Sequence, residues 1–177
     1  MITLDDACTL VWQEARLLDE RRWDEWLSLW WPDAWFWMPA WRDDTGEPST
    51  SPDTDLSLIY IAARAGLEDR IWRIRSGLSV ASVVLRRTVH LVGSPVLEPP
   101  SAEVPARAAG AMPEADAAVL HTAFSCHVWD PEQRVQTVLA GRYAHHLARR
   151  EGRLGIAGKK IVLTTDVIPT MADVYCV

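Results

Sequence analysis

Cysteine is scarce in this 177-residue chain: Cys8, Cys126 and Cys176 are the whole supply. An odd number at such wide spacing suggests neither a disulfide framework nor a zinc site, so reduced, packed thiols are expected. No stretch is apolar for the length a bilayer requires, and Met1-Ile2-Thr3-Leu4-Asp5-Asp6 carries acids where a secretory signal needs a basic region. A cytoplasmic protein with no membrane contact is the expectation. A dense Lys/Arg stripe is missing as well. With a net charge of -6 the chain would repel phosphate backbones, which argues against nucleic acid as a partner. Neither a glycine-rich phosphate loop nor a nucleophile elbow occurs.

Tryptophan, by contrast, is abundant: ten in all, seven of them between Trp23 and Trp41. Side chains of that area are rarely left in water, so the cluster points to an aromatic core combined with an extensive interface. With 49% apolar residues, the length suits a single domain over 1–177 around one core.

Thr3 followed by Asp6 marks a helix start, and Leu4, Cys8, Val11, Ala15 and Leu18 repeat at the spacing of one helical face. Trp23, Trp26, Leu27 and Trp30 form a second short stripe that Pro32 should end. Residues 33–38 suit a strand covered on both sides, with Trp35 and Trp37 on one face and Ala34, Phe36 and Met38 on the other. A loop over 43–55 and a strand over 56–61 follow. A helix is expected over 66–76, with Leu67, Ile71 and Ile74 inward and Gly77 as terminator. The period then changes to two, giving strands over 88–92, 96–98, 118–129, 135–147 and 154–165. Asp130-Pro131 and Glu151-Gly152 supply turns for an antiparallel meander, and 99–114, rich in Pro and Ala, reads as an exposed excursion. Helices first and a long sheet afterwards predict an α+β fold in which helices cover one face of a curved, mainly antiparallel sheet, forming a half-open cone.

Redox chemistry has no ligand set in the sequence. A mononuclear iron site needs two histidines and a carboxylate, and a Rieske cluster needs paired cysteines and histidines. Cys126 alone has a neighbouring histidine, His127, and adjacent strand residues point to opposite faces. No catalytic, cofactor or metal residue is therefore assigned. His90, His121, His127 and His145 remain as acid-base groups if a carboxylate such as Asp19 or Asp33 stands near one of them; the plainer reading is that each packs or hydrogen-bonds without reacting. Arg70, Arg73 and Arg75 offer contact with an acidic neighbour, or a solvated face paired to Glu68 and Asp69. Trp23, Trp26, Trp37 and Trp41 join these arginines as candidate subunit contacts; a substrate box made of the tryptophans lacks polar groups to orient a ligand.

The order of motifs is distinctive. Glu14-Ala15-Arg16-Leu17-Leu18-Asp19-Glu20-Arg21-Arg22-Trp23, Phe36-Trp37-Met38-Pro39-Ala40-Trp41, Gly66-Leu67-Glu68-Asp69-Arg70-Ile71-Trp72-Arg73, Arg87-Thr88-Val89-His90-Leu91-Val92 and Lys159-Lys160-Ile161-Val162-Leu163 resemble the small (β) subunits of Rieske-type aromatic-ring-hydroxylating dioxygenases. The segment Phe36 to Trp41, with Asp173-Val174-Tyr175, is most similar to the benzoate and toluate branch. The resemblance implies a cystatin-like or NTF2-like cone. It also implies a larger α subunit as partner, usually three of each, with contacts among the β subunits. The Rieske [2Fe-2S] cluster and mononuclear Fe(II) would lie in that α subunit, and the small chain would be a structural member of an oxidoreductase of aromatic catabolism. Departures occur mid-chain: Leu120-His121-Thr122 stands where the family usually has Trp-His-Thr, and Cys176 stands where it usually ends on His. The competing expectation is a stand-alone NTF2-like dehydratase or isomerase using His90 or His121 with a carboxylate in the cone.

Overall fold

A computed structural model describes residues 1–76, 84–100, 116–165, 168 and 173–177. Gly77, offered above as a helix terminator, and most of the 99–114 excursion lie outside the described residues. Helix α1 spans Leu4–Asp19 and opens on the capping box that the sequence suggests. Thr3 Oγ1 accepts from the Asp6 amide at 3.1 Å, and Asp6 Oδ2 accepts from the Thr3 amide at 3.4 Å, which satisfies two donors that a helix start leaves free. Cys8, Val11, Ala15 and Leu18 form its buried stripe, whereas Leu4 stays exposed at the helix end.

Helix α2 covers Trp23–Ser28 and is shorter than its tryptophan spacing suggests. Trp30 is not its last inward residue but the first of strand β1, Trp30–Pro39, and Pro32 lies inside that strand rather than ending a helix. The pairing of β1 with its neighbour shifts register between Trp30 and Trp35, so the proline, which cannot donate to a ladder, occupies an irregularity. Strand β2 (Ser57–Ile61) and helix α3 (Arg64–Ser76) follow, the helix starting two residues earlier than its apolar pattern.

The remaining strands are β3 (Arg87–Glu98), β4 (Ala117–Asp130), β5 (Val135–Arg150) and β6 (Arg153–Leu163). The two short strands expected over 88–92 and 96–98 are one, β3. Ser94 takes a positive φ of 53°, and the register shifts between Gly93 and Val96, so a bulge rather than a break interrupts the alternation. The sheet order is β2-β1-β6-β5-β4-β3. All neighbours are antiparallel except β1 and β6, which run parallel with Trp37 beside Lys160.

The hairpins form where the turn residues predicted them. Asp130 Oδ1 accepts from the amides of Glu132 and Gln133 at 3.0 Å each, and Glu151 and Gly152 both take positive φ, 51° and 81°, the twist a two-residue hairpin requires. A single cluster of buried apolar side chains runs from Ile2 to Val177 between the helices and the inner sheet face. Both faces of β1 are covered: Phe36 and Met38 point into that core, while Trp35 lies on Gly158, where a Cβ would run into the indole. The α+β cone expected from the sequence is the fold observed.

Candidate functional site

Two opposite charges occupy the interior. Glu14 sits on the buried face of α1 among Leu10, Val11 and Leu18, and Lys159 alternates inward on β6 with Ile161 and Leu163. Lys159 Nζ donates to both carboxylate oxygens of Glu14 at 2.9 and 3.0 Å, and Trp26 Nε1 donates to Oε1 at 3.3 Å. Beside them His145 Nε2 lies 3.4 Å from Glu14 Oε2, and Lys159 Nζ stands 4.1 Å from the centre of the Tyr143 ring, which stacks on Phe124. Burial by itself would push the Glu14 carboxyl up, but the Lys159 ammonium and the His145 imidazole hold it well below the usual carboxylate range. Burial lowers His145 and Lys159, against the opposing pull of Glu14. The arrangement neutralises charge and ties α1 to the sheet; every charged group in it already has a partner of opposite sign.

A second polar group lies at the sheet edge. Asp19, the last residue of α1, accepts from Thr88 Oγ1 at 2.8 Å and from the His90 amide at 2.9 Å, and its Oδ1 is 2.7 Å from His90 Nδ1. The sequence offers Asp19 and Asp33 as carboxylate partners for a histidine. Asp19 meets one, and Asp33 instead pairs with Arg150 at 2.6 Å. The His90 side chain is 1% exposed and its Nε2 is buried without a protein partner, so the ring is held by the carboxylate but is closed to solvent. An open cleft of about 550 Å³ runs alongside, bordered by Trp12, Arg16, Asp19, Leu91 and His90 itself, whose side chain is nonetheless buried. His121 and His127 share a face, as their parity predicts, but it is the outer one: His121 is 44% exposed and stands 3.4 Å from Glu98. His121 therefore cannot act inside the cone, contrary to one of the expectations above.

The candidate contact residues separate sharply. Trp26 at 0%, Trp23 at 6% and Trp37 at 3% exposure are packed within the chain. Trp23 meets Tyr175 edge-on at 5.8 Å, and Trp37 Nε1 donates to Ser57 Oγ at 2.9 Å. Trp23 and Trp26 lie in the central apolar cluster, and Trp37 is covered on the opposite face of β1, so little of any of the three is exposed on the isolated chain. Trp41 is half-buried and donates to the Leu163 carbonyl at 2.8 Å. Arg73 and Arg75 are exposed and Arg70 is partly so. Their partners are not the expected Glu68 and Asp69: Arg75 reaches Asp24 at 2.8 Å, Arg70 approaches Asp173 at 3.9 Å, and Glu68 pairs with Arg64. Two tryptophans outside the cluster, Trp12 at 54% and Trp72 at 64%, are the most exposed of the ten. Their signal was present, since neither falls on the inward stripe of its helix.

The outer sheet face is also exposed. Val89 on β3, His127 on β4 and Val138 on β5 lie in one row, and Leu91, Ser125 and Ala140 in the next. Among the described residues no three His, Cys, Asp or Glu are grouped to hold a metal ion, and no helix is long and apolar enough to cross a membrane.

Comparison with known proteins follows the same lines. The chain is 36% identical over 171 residues to the 2-halobenzoate 1,2-dioxygenase small subunit of Burkholderia cepacia, covering 96% of this chain and 93% of that one. The crystal structure of the benzoate 1,2-dioxygenase β subunit from Burkholderia mallei superimposes with a TM-score of 0.74 at 29% identity, over 100% of this chain and 99% of the other. A hexachlorocyclohexane dehydrochlorinase (LinA Type2) shares the fold alone, with a TM-score of 0.55 at 15% identity over 93% of this chain and 88% of the other. Residues 13–170 match the family model described as ring hydroxylating beta subunit, and the chain belongs to that family, as a small subunit of ring-hydroxylating dioxygenases.

Proposed function

We propose that this chain is the structural, non-catalytic subunit of a benzoate-type dioxygenase, one NTF2-like domain acting in the cytoplasm as part of an α3β3 assembly. The observation that carries the reading is the filled cone. Tyr143 on Phe124, Trp26 on Trp30, and the Glu14–Lys159 pair occupy the interior in which a cone-shaped enzyme would hold its substrate. The large subunit would hold the Rieske [2Fe-2S] cluster and the mononuclear Fe(II). With electrons from NADH it would add both atoms of O2 to an aromatic acid, giving a cis-dihydrodiol. The small chain contributes by holding large subunits in register, since electron transfer between them requires their centres to be close. Trp41 and the α3 residues Arg70, Arg73 and Arg75 are surface positions through which neighbouring subunits can be held.

The Asp19–His90 contact is the feature that favours the second reading, a stand-alone dehydratase or isomerase. Against it, Asp19 is committed to Thr88 and the His90 amide, and the imidazole is enclosed. Co-expression with a large subunit of a benzoate-type dioxygenase, followed by size and iron analysis, tests the assignment. A large complex with iron confined to the large subunit is expected; a lone, iron-free chain whose turnover of a hydratable substrate depends on His90 would replace it with the second reading.

A further inference from the structure

Trp30, His90, Thr122, Tyr143 and His145 each bury a ring nitrogen or a hydroxyl for which the protein supplies no hydrogen-bond partner. A polar group buried dry pays its full desolvation cost, and several together would remove much of a domain's stability. Protein interiors meet such groups with ordered water, about one molecule per 27 residues.

Two of these groups are placed to share one molecule. Strands β4 and β5 pair with Thr122 opposite Tyr143 and Leu120 opposite His145, so Thr122 and His145 are diagonal neighbours on the inner sheet face. Such neighbours stand about 7–8 Å apart, a span that two short side chains and one water can close. Both side chains are shut away from bulk solvent, at 5% and 0% exposure. Tyr143, directly across from Thr122, turns its ring onto Phe124 at 3.8 Å and leaves the threonine hydroxyl without a partner.

Hydrogen-bond roles complete the case. His145 Nε2 faces Glu14 Oε2 at 3.4 Å, and Glu14 is the carboxylate to which Lys159 donates twice. A carboxylate only accepts, so the one proton of a neutral imidazole belongs on Nε2, and Nδ1 is left as an acceptor that needs a donor. Burial lowers His145 and so favours that neutral ring. The Thr122 hydroxyl can donate, and water can accept from it while donating to the ring.

We propose that one ordered water lies between Thr122 Oγ1 and His145 Nδ1, accepting from the hydroxyl and donating to the ring nitrogen. It fixes His145 in the Nε2–H form and extends the Glu14–Lys159 group, through β5, to β4. The test is a high-resolution crystal structure of the full chain beside those of Thr122→Ser and Thr122→Val, with the imidazole nitrogen shifts of all three measured by NMR. Wild type should show a water peak within about 3 Å of both atoms, and His145 should show the shifts of a neutral ring protonated on Nε2. Thr122→Ser should keep both signs; Thr122→Val should lose the peak and shift Nδ1. No peak between the two atoms in wild type, a direct bond between them, or a ring protonated on Nδ1 overturns the site. So does a peak that persists in Thr122→Val, since the water then belongs to His145 alone. Should Thr122→Val fail to fold, the wild-type map and the Thr122→Ser shifts decide by the same criteria.

Discussion

Lys159 Nζ on β6 and Glu14 Oε1 on α1 lie 2.9 Å apart with both side chains 1% exposed. Removing one partner leaves a charge buried without compensation, whereas replacing both by apolar residues of similar volume removes the desolvation penalty along with the attraction. Lys159→Met and Glu14→Leu should each cost about 3–5 kcal/mol. The double variant should lie closer to wild type than either single one. Urea denaturation of all four proteins checks this, and simple additivity of the two losses would show that the pair does not interact.

Acid should destabilise the chain in two stages. Burial, with His145, His121 and Lys160 nearby, holds His146 down at about 4 from an ordinary 6.5, and burial lowers His145 as well. Below pH 6.5 the unfolded chain takes up protons that the folded chain refuses, so stability falls with pH; for His146 the loss is complete below about pH 4 and amounts to about 3 kcal/mol. Glu14 has the depressed pKa of a paired carboxylate, so its contribution is full above the ordinary value of 4.5 and is lost only at lower pH. Unfolding midpoints of His146→Asn should therefore change less than wild type between pH 6.5 and 4.5. An unchanged slope would refute the assignment to His146.

Gly158 carries Trp35 directly on its Cα. A methyl group there overlaps the indole, and because Trp35 is itself 3% exposed the ring has little room to move. Gly158→Ala should lower stability by about 1–3 kcal/mol and alter the near-ultraviolet circular dichroism of the tryptophans. An unperturbed spectrum at full stability would mean that the β1–β6 contact is looser than described.

Asp19 supplies acceptors that the free edge of β3 otherwise lacks. Asp19→Ala should cost about 2 kcal/mol and speed hydrogen exchange at the His90 amide, because hydrogen bonds to a charged group are among the stronger ones. Turnover per assembled complex should stay at the wild-type level, since the carboxylate serves the fold. A large fall in turnover with assembly and stability intact would instead give the Asp19–His90 contact a chemical role.

Much of this structure could be read in the residues, and the failures have physical causes. The capping box at Thr3, the Glu151-Gly152 hairpin and the inward stripe of α1 are local, so spacing reveals them. Trp30 was misplaced because a tryptophan three or four residues after Trp26 satisfies a helical stripe as well as a strand start, and only its pairing with Ile156 decides between them. Division of β3 into two strands arose from Gly93-Ser94-Pro95, which has the composition of a turn but forms a bulge. For the contact residues, composition identified tryptophan correctly as special but not which side chains the fold would consume. Position was the better guide, since Trp12 and Trp72 fall off the inward stripes and stay exposed. The Glu14–Lys159 pair is absent from the sequence expectations, although each charge occupies a core-facing position of its own element, where a charge needs a partner.

The parallel seam between β1 and β6 also imposes a timetable. Trp35, Phe36 and Trp37 obtain their β6 neighbours only when Gly158, Lys159 and Lys160 have been made, roughly 120 residues later and on the order of ten seconds at ribosomal speed. Until then β1 has only β2 beside it in the sheet, and its other edge is exposed to aggregation or to chaperones. Closure of the cone is thus a late event of synthesis, and the emission of those indoles should report it after the β3–β4–β5 hairpins have formed.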